Sequence, residues 1–346
     1  MYRSLTTLYL LLCAALLPSH LFGQTTFSGI PALCYHQVQP ASGGKYSLSK
    51  EGFRGQLLLM RKFGYTPINS QKLLEVLQFP EPPREKYVVI TFDDGFRSVF
   101  DHAFPIMKEF GFVGVVCIYP EFIGTSGGMS WEQLRTLQKA GWSVDCHSHS
   151  HKDLGKPPAS AEARKAFFDR EIINPKKEIE KHLGTPVLFM AWPYGIYTEE
   201  ALAVARSAGF AGAYTVDGGG NYPSLDPFQV KRQVVYDTDS QEKFTIRLEM
   251  GSLKVENHSP RPGQVLNSLS QVTCRLPDLA DFDPENYVLN TKVTGGALTA
   301  KFDPATRQLT AQVSSAPGKG TRFIDIYLRD KRTGFTRQHG WFIIIQ

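Results

Sequence analysis

Long apolar runs are nearly absent from this 346-residue chain. The one clear case, residues 8–17, ends at Pro18 and falls short of the roughly 20 residues that a membrane helix needs. Arg3 precedes the run and Leu21-Phe22-Gly23 follows it, which is the layout of a cleavable export signal. We therefore expect residues 1–23 to be a signal peptide cut after Gly23. We also expect no integral membrane span and an exported mature protein, periplasmic or secreted. Cys13 does not mark a lipoprotein, because Leu12 stands where a small residue would be expected. CxxC spacing is missing too. Of the cysteines left after cleavage (Cys34, Cys117, Cys146 and Cys274), three sit in strand-like apolar runs, which favours buried free thiols over disulfides even in an oxidising compartment. No low-complexity tract and no solenoid-type repeat is present. The 38 Lys and Arg residues, against 33 Asp and Glu, are scattered. A nucleic-acid partner, which calls for a concentrated basic face, is not expected.

What is present is alternation. Strand-like runs at 31–36, 87–92, 113–119, 142–146, 187–191, 211–216 and 230–236 are separated by helical stretches at 51–63, 98–110, 161–182 and 199–208. A further helix starts at Ser130, with Gln133 completing a capping box. Such alternation implies parallel strands joined by helical crossovers. The expected fold is α/β: a distorted (β/α) barrel of about seven strands over residues 28–252. Beyond about residue 252 helical spacing disappears. Short alternating runs at 271–276, 287–293, 309–313, 323–328 and 340–345 are divided by turns such as Gly295-Gly296 and Pro317-Gly318. That pattern predicts a small antiparallel, Ig-like β-sandwich over 263–346, with 257–263 as a linker.

The polar clusters fall where the barrel strands end, the face on which such barrels carry their chemistry. Thr91-Phe92-Asp93-Asp94-Gly95 sets two adjacent carboxylates at a strand end. Strand neighbours point to opposite faces, but a Gly turn can bend both toward one pocket, where one binds a metal and the other takes a proton. An Asp capping the following helix also fits. His147-Ser148-His149-Ser150-His151 puts three of the chain's nine histidines in five residues. Two imidazoles four residues apart can share one metal ion. With one carboxylate they form a two-His, one-carboxylate set suited to Zn²⁺ or a similar divalent ion. A solvated His-rich loop is the alternative. Ala191-Trp192-Pro193-Tyr194-Gly195 is a sharp turn whose backbone N–H groups can face an oxyanion. Trp192 and Tyr194 offer flat faces suited to sugar rings, and Trp131 is a third candidate for substrate binding.

These three motifs, in this order and at strand ends, resemble those of the NodB-homology polysaccharide deacetylases, the family-four carbohydrate esterases. The resemblance covers about residues 30–250. It implies Asp93 as catalytic base, Asp94, His147 and His151 as metal ligands, His149 as a bystander, and the Tyr194 N–H as oxyanion donor. Two positions depart from the family pattern. Ala191 stands where many members have Arg, and the stretch 244–253 contains no late catalytic His. Instead His36 follows the first strand, in Cys34-Tyr35-His36-Gln37-Val38. This is similar to the branch acting on poly-β-1,6-N-acetylglucosamine, whose motifs are circularly permuted and whose acid His comes first. Arg232 is the candidate for the missing positive charge beside Asp93.

The resemblance implies metal-dependent hydrolysis of N-acetyl groups on an N-acetylglucosamine polysaccharide. It implies one divalent ion, zinc first, with cobalt or nickel also suitable. The alternatives are an O-acetyl esterase on a polysaccharide such as xylan, or a non-catalytic carbohydrate-binding protein. All the motifs precede residue 240, so a chain ending near Ser252 is expected to keep activity on short oligomers if it folds.

Overall fold

The computed structural model describes residues 29–280 and 282–346; the expected signal peptide lies outside them. Among the described residues no helix is long and apolar enough to cross a membrane. The first domain runs through β1 (Ala32–Tyr35), a short parallel pair β2 (Gln37–Gln39) and β3 (Ser47–Ser49), α1 (Lys50–Lys62), β4 (Tyr65–Ile68), α2 (Ser70–Gln78), β5 (Lys86–Phe92), α3 (Phe104–Phe110), β6 (Val115–Ile118), α4 (Trp131–Lys139) and β7 (Ser143–Cys146). It continues through α5 (Ala161–Phe168), α6 (Asn174–Leu183), β8 (Phe189–Ala191), α7 (Glu199–Ser207), β9 (Gly212–Tyr214), β10 (Gln233–Val234) and α8 (Gln241–Leu248). One parallel sheet takes the order β10-β1-β5-β6-β7-β8-β9. Its ends meet through Val230: Val230 N donates to Ala213 O at 3.0 Å, and Thr215 N donates to Val230 O at 2.8 Å. This is the distorted barrel expected from the alternation. The unexpected strand is β4, which pairs only with β5. Pro67 within it is tolerable because one of its edges carries no ladder.

Strand parity sorts the side chains into two layers. Leu33, Tyr35, Val88, Ile90, Phe92, Val144 and Cys146 pack outward against the helices. Ala32, Val89, Val115, Cys117, Phe189, Ala191 and Tyr214 fill the inside. The strands are buried on both faces and so read as continuous apolar runs. Among the described cysteines, all four are buried free thiols.

The second domain is a sandwich of two sheets, which take in β11 (Gly251–Ser252), β12 (Glu256–Ser259), β13 (Val265–Leu266), β14 (Gln271–Arg275), β15 (Tyr287–Val293), β16 (Ala297–Asp303), β17 (Gln308–Ser315), β18 (Gly320–Asp330) and β19 (Thr336–Ile345). One sheet has the order β11-β19-β18-β15, with β13 also on β19; the other is β12-β14-β17-β16. Two details differ from expectation. Residues 257–263 are not a free linker, because β12 pairs with β14. The short strands β11 and β13 run parallel, not antiparallel, to β19.

Strand β19 serves two cores. Trp341, Ile343 and Ile345 face the sandwich interior, while Phe342 and Ile344 belong to the barrel's outer layer. Tyr197 of the barrel packs edge-on against Phe342, with ring centroids 5.0 Å apart. The Lys231 ammonium, 1% exposed, donates to Gly340 O at 2.5 Å, and Gly340 N donates to Gly218 O at 2.8 Å. The sandwich therefore covers barrel surface that is apolar at Tyr197 and charged at Lys231. A chain ending at Ser252 would expose both. We expect it to aggregate or to unfold well below the temperature of the full chain, measured by soluble yield and calorimetry. A monomeric truncation with an unchanged unfolding midpoint would refute this account of the interface.

Candidate active site and metal centre

Each motif residue continues the inward parity of its strand. Thr91 points inward and so does Asp93; Asp145 is inward and His147 follows; Cys34 is inward and His36 follows. Asp94 breaks the alternation. Its φ of +74° is left-handed backbone, uncommon outside glycine, and it swings the second carboxylate back into the same pocket. The result is one cleft of about 680 Å³ lined by His36, Asp93, Asp94, His147, His151 and Tyr194, among others.

Asp94, His147 and His151 form one tight cluster, with one possible ligand atom from each lying within 4.8 Å of the others. Asp94 Oδ1 is 3.6 Å from His147 Nε2 and 3.3 Å from His151 Nε2. That oxygen is buried and has no hydrogen-bond partner among the described residues, a costly state unless something fills the gap. Burial pushes the Asp94 carboxyl up to about 6 and the His147 imidazole down to about 4, and it lowers His151 as well. Neutral imidazoles aimed at an orphaned carboxylate oxygen fit a divalent cation. His147 Nδ1 lies 2.8 Å from Ala191 O, a second contact of the kind that fixes which nitrogen faces the metal. His149 turns away, its Nδ1 3.9 Å from Glu178.

Asp93 has a different partner. Arg232 grips it with both ends of the guanidinium, Nη1 to Oδ1 at 2.6 Å and Nη2 to Oδ2 at 2.8 Å. Both side chains are buried. Burial alone would raise the Asp93 pKa, but Arg232, with help from His147, outweighs it and holds the carboxyl well below its usual range. Arg232 also donates to Thr91 Oγ1 at 3.0 Å and to Thr215 O at 3.0 Å. His36 stands on the same rim as Asp94, His147 and His151; one of its ring nitrogens lies within 4.8 Å of candidate ligand atoms of Cys34 and Asp93. Its Nδ1 has no hydrogen-bond partner among the described residues.

The three aromatic candidates separate. Tyr194, at φ +59°, is 58% exposed on the cleft rim, edge-on to His151 at 4.7 Å. Trp192 does not offer the open face expected of it. It is among the residues that border the cleft, but it follows the inward Ala191 and its ring packs into the outer layer, fully buried against Tyr197. Trp131 does not line the cleft; it stacks on His182 in the helical layer, centroids 4.0 Å apart.

Sequence reasoning missed Glu171. It sits on the π-helical turn Asp169–Ile173 between α5 and α6 and is 1% exposed. Its carboxylate accepts from Ser150 N at 3.0 Å, Ser150 Oγ at 2.8 Å and His149 N at 3.3 Å. These bonds hold the loop in which Ser148 and His151 both have positive φ. Nothing in the local sequence ties a helical Glu to a loop some twenty residues earlier.

Residues 81–213 match the family model for polysaccharide deacetylase. The chain carries a polysaccharide deacetylase domain. Its family hydrolyses N-acetyl amide bonds, and its members are metalloenzymes. The Bacillus subtilis protein YxkH is 26% identical over 191 residues, which span 55% of this chain and 65% of that protein. A poly-beta-1,6-N-acetyl-D-glucosamine N-deacetylase of Staphylococcus aureus is 23% identical over 228 residues, 60% of this chain and 78% of that protein. The structure of IcaB from Ammonifex degensii superposes with a TM-score of 0.55 at 27% identity, covering 63% of this chain and 94% of that one.

Three outcomes test the site. Elemental analysis should find one divalent ion in the wild type and in His149→Ala, and loss of the ion in Asp94→Asn, His147→Ala and His151→Ala. Binding must displace a proton from Asp94 where it is protonated, so apparent metal affinity should weaken progressively as pH falls below about 6. Loss of metal from His149→Ala with retention in His151→Ala would overturn the ligand set. Glu171→Ala should weaken metal affinity about 10–100-fold, read by competition with a chelator. Unchanged affinity would make Glu171 irrelevant to the loop.

Proposed function

We propose that this chain is an exported, metal-dependent N-deacetylase that releases acetate from an N-acetylglucosamine polysaccharide. One observation carries the reading: a clamped, ionised Asp93 shares a cleft with the Asp94, His147 and His151 set and with His36. The likeness to proteins named as poly-β-1,6-N-acetylglucosamine deacetylases supports that glycan class. A divalent ion held by the three ligands, zinc first, would supply Lewis-acid polarisation of the acetyl carbonyl and bring the pKa of a water from about 16 toward about 7.

The chain's own groups do the rest. Asp93 accepts the proton as that water attacks. Arg232 keeps it ionised at neutral pH, and the same clamp weakens it as a base, so it is matched to a water that is already acidified. The Tyr194 N–H faces the oxyanion that develops on the carbonyl. His36 gives a proton to the departing amine, which leaves poorly without one. Tyr194 supplies an exposed ring at the rim for a sugar face.

Acetate release from a panel of N- and O-acetylated glycans, with and without chelator, tests the reading. Release from a β-1,6-linked N-acetylglucosamine oligomer, abolished by chelator, is the expected result. Release only from O-acetyl xylan would replace the amide reading with the ester one. Asp93→Asn should keep metal and lose about 10²–10⁴-fold in rate; near-normal turnover would exclude Asp93 as the base. His36→Ala should keep metal and lose far more activity on amides than on activated esters, whose leaving groups need no proton. Equal losses on both would argue against the acid role.

A further inference from the structure

The cleft has a second wall that does not come from the barrel. Thr294, Phe323, Asp325 and Gln338, all from the sandwich, line the same cavity as the metal cluster. Parity explains why. Ile324, Ile326 and Leu328 of β18 fill the sandwich core, so Phe323, Asp325 and Tyr327 face the other way, toward the barrel. On β19, Gln338 lies opposite Tyr327 and Gly340 opposite Asp325. Gly340 is required there, because a Cβ would come within 2.6 Å of Asp325 Oδ1 and 2.8 Å of Gly218 N. The missing side chain lets the sandwich close on the barrel and leaves room for the Asp325 carboxylate beside the cleft.

The polar groups of this wall are fixed in place. Gln338, 7% exposed, donates from Nε2 to Asp325 Oδ1 at 2.7 Å and to the Tyr327 hydroxyl at 3.0 Å. Asp325 Oδ2 accepts no hydrogen bond from any described residue. A carboxylate held through one oxygen with the other one free, next to a half-buried aromatic ring, is suited to accept hydrogen bonds from a sugar while the ring covers an apolar face. A cleft of about 680 Å³ is within the range of roughly 300–1,000 Å³ that encloses a drug-sized ligand, which is larger than one sugar ring.

We propose that Asp325, with Gln338 and Phe323, forms a subsite for a second hexosamine unit, the neighbour of the unit being deacetylated. The proposal rests on the deacetylase reading for its substrate class. It makes the sandwich part of substrate recognition and gives the enzyme a preference for chains over single sugars.

The test uses the full, metal-loaded chain and β-1,6-linked N-acetylglucosamine oligomers. In Asp325→Asn, which keeps the side chain's size, the ratio of kcat/KM on the tetramer to kcat/KM on the monosaccharide should fall about tenfold or more, chiefly through KM on the tetramer. An unchanged ratio, whether both substrates lose equally or neither does, overturns the proposal. A binding arm separates this outcome from failure of the catalytic reading. In an Asp93→Asn background, calorimetry with the tetramer should show affinity lowered about tenfold by Asp325→Asn. Weaker binding upholds the subsite even if the wild type releases no acetate, and equal affinity with and without Asp325 overturns it. Asp325→Ala, checked for an unchanged unfolding midpoint, guards against an Asn that still accepts the same hydrogen bond.

Discussion

The ion pair between Arg232 and Asp93 ties β10 to β5 across β1, and the rest of the site is arranged around it. Arg232 precedes β10, and Asp93 follows β5 on the far side of β1. They meet only because β1 pairs with both strands. Two charges this deeply buried are tolerable only as a matched pair with their remaining groups satisfied. The bidentate grip and the bonds to Thr91 and Thr215 meet that demand. Removing either partner would strand a buried charge, which typically costs about 3–5 kcal/mol. Arg232 thus links the strand ends through Thr215, just past β9, and the pair keeps a carboxylate ionised inside the sheet.

Much of the site was legible because strand parity and motif spacing are local properties. Asp93, Asp94, His147, His151 and His36 could be placed at strand ends from the sequence, and the cleft gathers all five. Parity also explains why Trp192, which borders the cleft, shows no open ring face. Read as a flat ring near a catalytic turn, it suggested a sugar platform, yet one residue past an inward Ala191 it had to point outward. Tyr194 escapes the same fate through its left-handed backbone. Strand β4 was hidden by Pro67, which is acceptable on an edge but argues against a strand when the pairing is unknown.

What could not be read depends on contacts across long stretches of chain. Glu171 is one charged residue in a helical stretch until the fold sets it under the His147–His151 loop. The end of β19, Gly-Trp-Phe-Ile-Ile-Ile, looked like one more sandwich strand. Its unbroken apolar character is the trace of a second buried face, since a strand with one face in water alternates. That signal predicts burial on both sides without naming what covers the second face. The barrel covers it, and with that the sandwich becomes a wall of the cleft.

Sheet closure also gives a physical reason why His36, at the start of the domain, reaches the cleft. Strands β1 and β10 are parallel, with Cys34 level with Val234. A residue two positions past either one therefore reaches the same rim. Past Cys34 this is His36, and past Val234 it is Tyr236, and both line the cleft. Tyr46 lies between them, its ring centroid 4.7 Å from His36 and 5.6 Å from Tyr236. In a sheet whose ends meet, the position of a group around the pocket is set by its strand, and the order of strands in the chain is free to vary. An imidazole delivered from the first strand and one delivered beyond the last are then equivalent solutions to the same geometric requirement. Residues 244–253 contain no His, and the imidazole that reaches this rim is His36, from the strand next to β10.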